Sequence, residues 1–403
     1  MKIGIISTGD ELLRGMIADT NAAWMASMLD QRGYSVSRIT TVGDDMDELS
    51  AVLEDAFNEY DLVIVGGGLG PTEDDITAQA AARAAGCPVA RNEEAAALVR
   101  GAFERIHRPM VEINLKQADL PDGCTVLTNP CGTAPGFAVG TSRGRAVFLP
   151  GVPRELKPMF EQHVLEALSE QGRVRAVFKC FGRGESDIQA ALTPIAASFP
   201  TVKWSYRSSF PEIGVTVSSS SEEDLRGVRQ SILAELGKSV FAEDEIALPE
   251  ALGRLLLSQG CTIGTAESCT GGLIGHSLTD VAGSSDYFRG GIIAYDNAVK
   301  IDQLGVGADL LEARGAVSEP VVKAMAEGVR KTLGVDLGVA VSGIAGPGGG
   351  TAEKPVGLVH LAVAHPNGVD HLKRIFHGYG RSRVKRISAW VAMWMAFRAL
   401  RED

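Results

Sequence analysis

The chain has 403 residues, 45% of them hydrophobic, with 39 lysines and arginines against 50 aspartates and glutamates and a formal net charge of -11. That length exceeds one ordinary core, so two or three domains are expected. The acidic balance and the lack of a basic block argue against nucleic acid as a partner. The six cysteines are scattered with no C-x-x-C, which predicts reduced thiols in a cytoplasmic protein and no zinc ribbon. Met1 to Ile6 runs straight into a strand without a signal-peptide layout. No apolar stretch is long enough for a bilayer, so no membrane partner is expected.

Residues 1–165 alternate strand and helix patterns. Strands are predicted at Lys2–Ser7, Ser35–Val42 and Leu62–Val65, and helices at Asn21–Arg32, Met46–Glu59 and Asp75–Ala85, with a last strand and turn at Val147–Pro153. This order predicts an α/β fold whose mainly parallel sheet is covered on both faces. Such sheets bind ligands at the strand C-terminal edge. Two loops meet that edge: Thr8, Gly9, Asp10 and Glu11, and the run from Gly66 to Asp75 that includes Gly67, Gly68, Gly70 and Thr72. Glycines let backbone approach a ligand, and a helix N-terminus favours phosphate. Neither a dinucleotide fingerprint nor a Walker lysine is present. Asp74 and Asp75 suit either a metal bridging phosphates or the first turn of a helix. Asp44 and Asp45, on the same edge, suit a metal, a ribose or solvent. Asn129 to Gly136 reads as a turn-rich loop.

Residues 172–241 predict a small α+β unit: strand Val174–Phe181, helix Asp187–Ala197, strands Val202–Arg207 and Gly214–Ser218, and a helix capped near Ser221. Ala242 to Glu245 is the linker candidate. Residues 249–403 predict a further α/β unit, with a helix at Glu319–Leu333, a strand at Leu337–Val341 and an amphipathic C-terminal helix.

The most informative run is Gly264 to Gly272. It places Ser268 between a buried strand and a helix, where a hydroxyl faces backbone N–H groups that suit an oxyanion. Lys300 follows in Tyr295 to Lys300, and no His-Asp pair lies near, so a Ser-Lys arrangement is the natural reading. The bland reading is a capping serine. Cys269 is a rival nucleophile that would need a base to lower its pKa. Ser342 to Thr351, with Gly343, Gly346, Gly348 and Gly349, suits a substrate or phosphate cradle, or else a flexible hairpin. His276 is expected to be packed, and Trp390 and Trp394 to serve packing.

Together these runs resemble the CinA family, the competence/damage-inducible proteins of bacteria, over essentially the whole chain. Residues 1–170 are similar to its molybdopterin-binding-like domain of MoaB/MogA type, through Gly9 to Gly15, Asp19-Thr20-Asn21 and Gly67 to Thr77. Residues 171–243 resemble its KH-like middle domain through Gly182 to Ser186. Residues 249–403 resemble its nicotinamide mononucleotide amidohydrolase domain.

The resemblance implies three layers in the first domain and a catalytic set of Ser268, Lys300, Tyr295 and Arg381, with Arg383 as the alternative arginine. Substrate contacts would come from Cys269, Thr270, Gly271, Gly272 and the Ser342 to Thr351 loop. In the first domain they would come from Thr8, Gly9, Glu11, Asn21, Gly67, Gly68, Gly70 and Thr72. Asp44, Asp74 and Asp75 would hold a divalent metal ion, magnesium or another, with potassium as a further candidate. No cofactor is implied for the C-terminal domain. The implied activities are deamidation of nicotinamide mononucleotide and metal-dependent hydrolysis of ADP-ribose, in a homodimer. The alternatives are a first domain that only binds nucleotide, and a competence-linked adaptor.

Overall fold

The computed structural model describes residues 1–168 and 174–401. The boundary expected between residues 170 and 171 lies outside them. The chain divides into two compact units, residues 1–173 and 174–403.

In the first unit, β1 (Ile3–Thr8) leads through the short α1 (Asp10–Leu13) to α2 (Thr20–Gln31), β2 (Val36–Val42), α3 (Met46–Glu59), β3 (Leu62–Gly66) and α4 (Thr77–Ala85). An excursion follows through β4 (Val89–Arg91), α5 (Glu93–Arg105), β5 (Asp119–Pro121) and β6 (Thr125–Leu127). The chain returns by β7 (Gly136–Gly140), β8 (Arg145–Leu149) and α6 (Pro153–Phe160). The main sheet has the order β2-β1-β3-β8-β7-β6. β1 pairs in parallel with β2 and β3, and β3 with β8, while β7 is antiparallel to both neighbours.

Alternate residues of the central strands feed opposite layers, as a period of two requires. Ile5, Ile64 and Val147 pack with Met25, Leu29 and Leu156. Ile6, Val65 and Phe148 pack with Leu49, Leu53 and Ala80 on the other side. Asp19 caps α2 by accepting from Ala22 N, and Asp45 caps α3 by accepting from Asp47 and Glu48 N. α4 ends at Gly86, which takes the left-handed φ of 68°. The expected three-layer α/β architecture is the one found. The helix expected from Asp75 starts two residues later. The Asp75 carboxylate instead accepts from Thr72 N and Oγ1, at 2.9 and 2.5 Å, and closes a turn ahead of the helix.

The second unit begins with β9 (Val174–Cys180), α7 (Glu185–Ser198), β10 (Lys203–Ser209), β11 (Glu212–Ser219), α8 (Glu222–Leu236) and β12 (Val240–Ala242). They form an antiparallel sheet, β10-β11-β9-β12, whose core includes Ile188 and Leu192 of α7 and Val228 and Ile232 of α8. Ser221 Oγ caps α8 by accepting from Asp224 N. After Ala242 the three acids of the connection each meet a cation: Glu243 with Arg229, Asp244 with Arg254 and Glu245 with Arg175.

The unit continues with α9 (Leu248–Gln259), β13 (Ile263–Glu267), α10 (Leu273–Thr279), β14 (Phe288–Ile293), α11 (Asn297–Leu304) and α12 (Ala308–Arg314). It ends with α13 (Glu319–Leu333), β15 (Leu337–Gly343), β16 (Leu358–His365), β17 (Gly368–Ile375) and α14 (Arg381–Ala399). Its sheet runs β14-β13-β15-β16-β17, with β13 parallel to both neighbours and the last two strands antiparallel. α9, α10 and α14 cover one face, and α13 with the α11–α12 region covers the other.

Glu212 joins the two sheets of this unit. Its buried carboxylate accepts from Leu248 N and Trp390 Nε1 and pairs with Lys179 at 3.0 Å. A buried carboxylate with every partner in place avoids the cost of an unpaired charge. Trp390 thereby serves packing, as expected. His276 does not: it is exposed on α10.

Candidate functional site

β13, β14 and β15 bring their C-terminal ends together, and the residues that follow them form one edge. Ser268 leaves β13 on a four-residue turn before α10, with its N–H donating to Val341 O at 3.0 Å. Gly271 and Gly272 take left-handed φ values of 61° and 92°, which this tight turn requires. Glu267, 1% exposed, accepts from Ile274 and Gly275 N at 3.1 and 2.9 Å. It thus occupies donors at the start of α10 and fixes the turn that presents Ser268. In the sequence Glu267 is simply one residue of the Gly264 to Gly272 run.

The oxyanion donors expected from Cys269 to Gly271 need correcting. Gly271 N–H donates to Ser268 O at 3.1 Å and closes the turn. Among the described residues no acceptor meets the amides of Cys269 or Thr270, and Thr270 Oγ1 is buried without a partner. Ser268 is half-buried and its hydroxyl makes no hydrogen bond to Lys300 or to any other described residue.

Lys300, on α11, is 1% exposed. Its Nζ donates to Tyr295 O at 3.2 Å and to Asp296 O at 3.5 Å. Burial pulls its pKa below the ordinary 10.5, against the opposing pull of Asp296 and Cys269. Burial, and not a neighbouring cation, is the cause of that lowering. Cys269 is 5% exposed, and burial pushes its thiol up to about 12. Arg381 and Lys385 lie within electrostatic reach of that sulfur.

Arg381 donates to Tyr295 Oη at 3.1 Å and to Gly346 O at 2.9 Å, so it joins the edge residues to the glycine-rich loop. Arg383 points elsewhere, over the rings of Phe210 and Tyr379. Lys385, one turn beyond Arg381, brings Nζ to within 3.6 Å of where a Gly271 Cβ would stand. Its spacing of four residues from Arg381 was the available signal in the sequence.

The loop after β15 only partly fits the expected cradle. Ser342 is fully buried and donates to Ala316 O at 2.7 Å, so its hydroxyl is taken up in packing. A Cβ on Gly343 would press on Leu358 O at 2.8 Å, so this glycine serves close packing. Gly346 faces Arg381. Gly348 and Gly349 are exposed, and Thr351 closes a turn with Lys354 through two hydrogen bonds.

In the first unit the C-terminal ends of β2, β1, β3 and β8 form the corresponding edge. Gly67 and Gly68, with φ of 117° and 65°, lie against Thr8 and Thr77, and Thr8 Oγ1 stands 3.4 Å from Thr77 Oγ1. Gly9 N donates to Val42 O, and a Cβ there would meet Glu11 at 2.6 Å. Asn21 Nδ2 donates to Gly151 O at 2.6 Å. Ser7 Oγ, Asp19 Oδ2 and Asn21 Oδ1 are buried with no hydrogen-bond partner among the described residues. Lys116 donates to Thr72 O and clamps the glycine-rich loop, a contact that sequence reading missed.

The acids gather incompletely. Among the described residues no three His, Cys, Asp or Glu side chains converge at metal distance. Asp75 is turned to Thr72. Asp44 exchanges hydrogen bonds with Asp10 at 3.1 and 3.2 Å. Its pKa is raised, first by burial and then by the charges of Asp10, Glu11 and Asp74, outweighing the hydrogen bond from Asp10 N. Negative charge is thus crowded at Asp44.

Residues 245–400 match the family model of the CinA C-terminal domain, and residues 4–170 match that of a "probable molybdopterin binding domain". A CinA-like protein of Anaeromyxobacter dehalogenans is 42% identical over 409 aligned residues, covering 100% of both chains. The chain belongs to the CinA-like family. Another CinA-like protein, from Desulfosudis oleivorans, is 42% identical over 96% of this chain and 97% of its own. The crystal structure of a competence/damage inducible protein from Agrobacterium tumefaciens covers 40% of this chain and all of its own, at 42% identity and a TM-score of 0.37. In this CinA-like chain, Tyr295, Lys300, Arg381 and Gly346 are linked directly, and Ser268 is held at the same edge by β13. No described helix is long and apolar enough to cross a membrane.

Proposed function

We propose that residues 249–403 hydrolyse the carboxamide of nicotinamide mononucleotide to the acid and ammonia. The observation that carries this reading is Lys300: a buried amine with a lowered pKa, at the strand edge that presents Ser268. Ser268 Oγ attacks the amide carbon while neutral Lys300 takes its proton. The Cys269 and Thr270 amides hold the oxyanion. Lys300 returns the proton to the departing nitrogen as the C–N bond breaks. Water then attacks the acyl-serine ester with its proton passing to Lys300, which returns it to Ser268 Oγ as the ester C–O bond breaks and nicotinate mononucleotide leaves. Arg381 orients Tyr295 and, with Lys385, faces the substrate phosphate. Ammonia release from nicotinamide mononucleotide by purified protein, with and without EDTA, tests the reading; activity in EDTA is expected.

For residues 1–170 the proposal is metal-dependent hydrolysis of ADP-ribose, resting on Asp44 and on the glycine loop that lies against Thr8. Asp44 and Asp74 would hold a divalent cation together with diphosphate oxygens, and the cation would neutralise charge developing on the phosphate. Gly67 and Gly68 let backbone approach the diphosphate, and Asn21 faces the same edge. Phosphate release from ADP-ribose after coupled phosphatase treatment, abolished by EDTA, is the expected result.

A further inference from the structure

On the α13 side of the C-terminal sheet lies a group of titratable side chains that the proposed reaction does not use. His360 on β16 is 8% exposed, and its Nδ1 stands 3.0 Å from His371 Nε2 on β17. Ala362 is the register partner of His371, so the two histidines are diagonal neighbours on one face. The other ring nitrogen of His371, Nδ1, faces Glu319 Oε2 at 3.6 Å. Glu319 opens α13, and its second oxygen pairs with Lys323 at 2.7 Å. Lys373 on β17 and Lys354 after β15 also act on His360. His365 and Asp370 sit with Val363 on the opposite face.

The carboxylate fixes the protons of the pair. An anionic oxygen favours a proton on the nitrogen that faces it, so His371 carries Nδ1–H and accepts at Nε2. His360 then donates from Nδ1 and keeps Nε2 bare. A further proton enters at His360 Nε2, opposed by Lys354 and Lys373 and favoured by Glu319. A second can enter only between the rings, where two N–H groups then oppose each other and the bond is lost. Burial lowers the proton affinity of both rings, that of His360 to a pKa of about 4. The segment leading into α13 has three ties: Lys354 Nζ donates to Arg314 O and Ser342 Oγ to Ala316 O, both at 2.7 Å, and Glu319 faces His371. His360 is the register partner of Ser342, and Val341, beside Ser342, accepts from Ser268 N. The segment thus adjoins the edge that holds Ser268.

We propose that Glu319, His371 and His360 are a pH-sensitive latch on residues 314–319, shut while both imidazoles are neutral and opened as acid drives protons into the pair. Its effect on turnover rests on the deamidase reading above. Between the folded values and the ordinary 6.5 of histidine, the unfolded chain binds more protons than the folded one. The stabilisation by the latch is therefore fully present above 6.5 and is lost as pH falls through the folded values.

The test is carbon NMR of the histidine rings together with hydrogen exchange, on the full chain in EDTA from pH 7.5 to 5. At pH 7.5 the wild type should hold both His360 and His371 as Nδ1–H tautomers, and both should titrate below 6.5. Exchange of the amides of residues 315–320, corrected for the intrinsic rate, should quicken at least about tenfold as pH falls to 5. In His360→Gln and His371→Gln it should be fast already at pH 7.5 and respond to pH less than about threefold. Deamidation by wild type relative to His360→Gln should fall over the same range. The latch is overturned by Nε2–H on His371, by a ring of the pair that titrates at or above 6.5, or by the same pH response of exchange in wild type and both variants. Absence of deamidation by wild type at every pH counts against the deamidase reading instead, and the tautomers and exchange still decide the latch.

Discussion

Cys269 is the stronger nucleophile by intrinsic chemistry, yet burial holds its thiol protonated, with a pKa of about 12. In the proposed mechanism Ser268, half-buried beside it, keeps the reactive role and takes Lys300 as its base. Ser268→Ala and Lys300→Met are expected to lower deamidation to a similar extent, at least 1000-fold, because groups that act as a unit fail together. Cys269→Ala should stay within about tenfold of wild type; initial rates of ammonia release compare them. Lys300 also sets a pH dependence. Its folded pKa lies below the ordinary 10.5, so the unfolded chain binds more protons in the interval between the two values. Stability from this group therefore rises with pH across that interval and falls as pH drops through the folded value. The Tm of wild type relative to Lys300→Met should move in favour of wild type as pH rises, and deamidation should rise over the same interval. A Tm difference independent of pH would contradict a depressed lysine.

Elements differ in how plainly their residues announce them. Met46–Glu59 was legible because its apolar residues recur at helical spacing, and the cap at Ser221 because a helical pattern follows it at once; that Asp45 caps α3, and does not stand as a metal, ribose or solvent group, was not. The start of α4 was not, because Asp75 prefers a local turn with Thr72 to a place in the helix. Residues 297–314 hold two short helices, followed by Gly305 and Gly315, that the sequence pattern did not single out. The Ser268 turn was legible from its glycines, but the grip of Glu267 on α10 was not, since an acid ending a strand does not reveal which N–H groups it meets. Glu267→Ala should lower kcat at least tenfold with little change in KM, and destabilise by about 1–2 kcal/mol. Glu267→Gln, which keeps one acceptor oxygen, should recover part of both. On α14, Arg381 and Arg383 face different surroundings, so Arg381→Ala should impair deamidation while Arg383→Ala leaves it within about threefold; steady-state kinetics separates them.

For the whole molecule, the proposal assigns separate chemistry to separate units. The acids at Asp44 belong to the first unit and the Ser268 edge to the second. Asp44→Asn should abolish metal-dependent ADP-ribose cleavage and leave deamidation unchanged, whereas equal loss of both in a folded variant would contradict the division. Length indicated more than one domain, and the alternation of strand and helix patterns an α/β protein. They could not indicate that Glu212 binds Trp390 178 residues away, because such contacts depend on the packed chain. The account's central claim is a serine-lysine amidase at the C-terminal edge of β13. It is tested most directly by ammonia release from nicotinamide mononucleotide in EDTA, measured for wild type, Ser268→Ala and Cys269→Ala. The account predicts turnover by wild type and Cys269→Ala and none by Ser268→Ala. Turnover by Ser268→Ala, or its loss in Cys269→Ala alone, would contradict it.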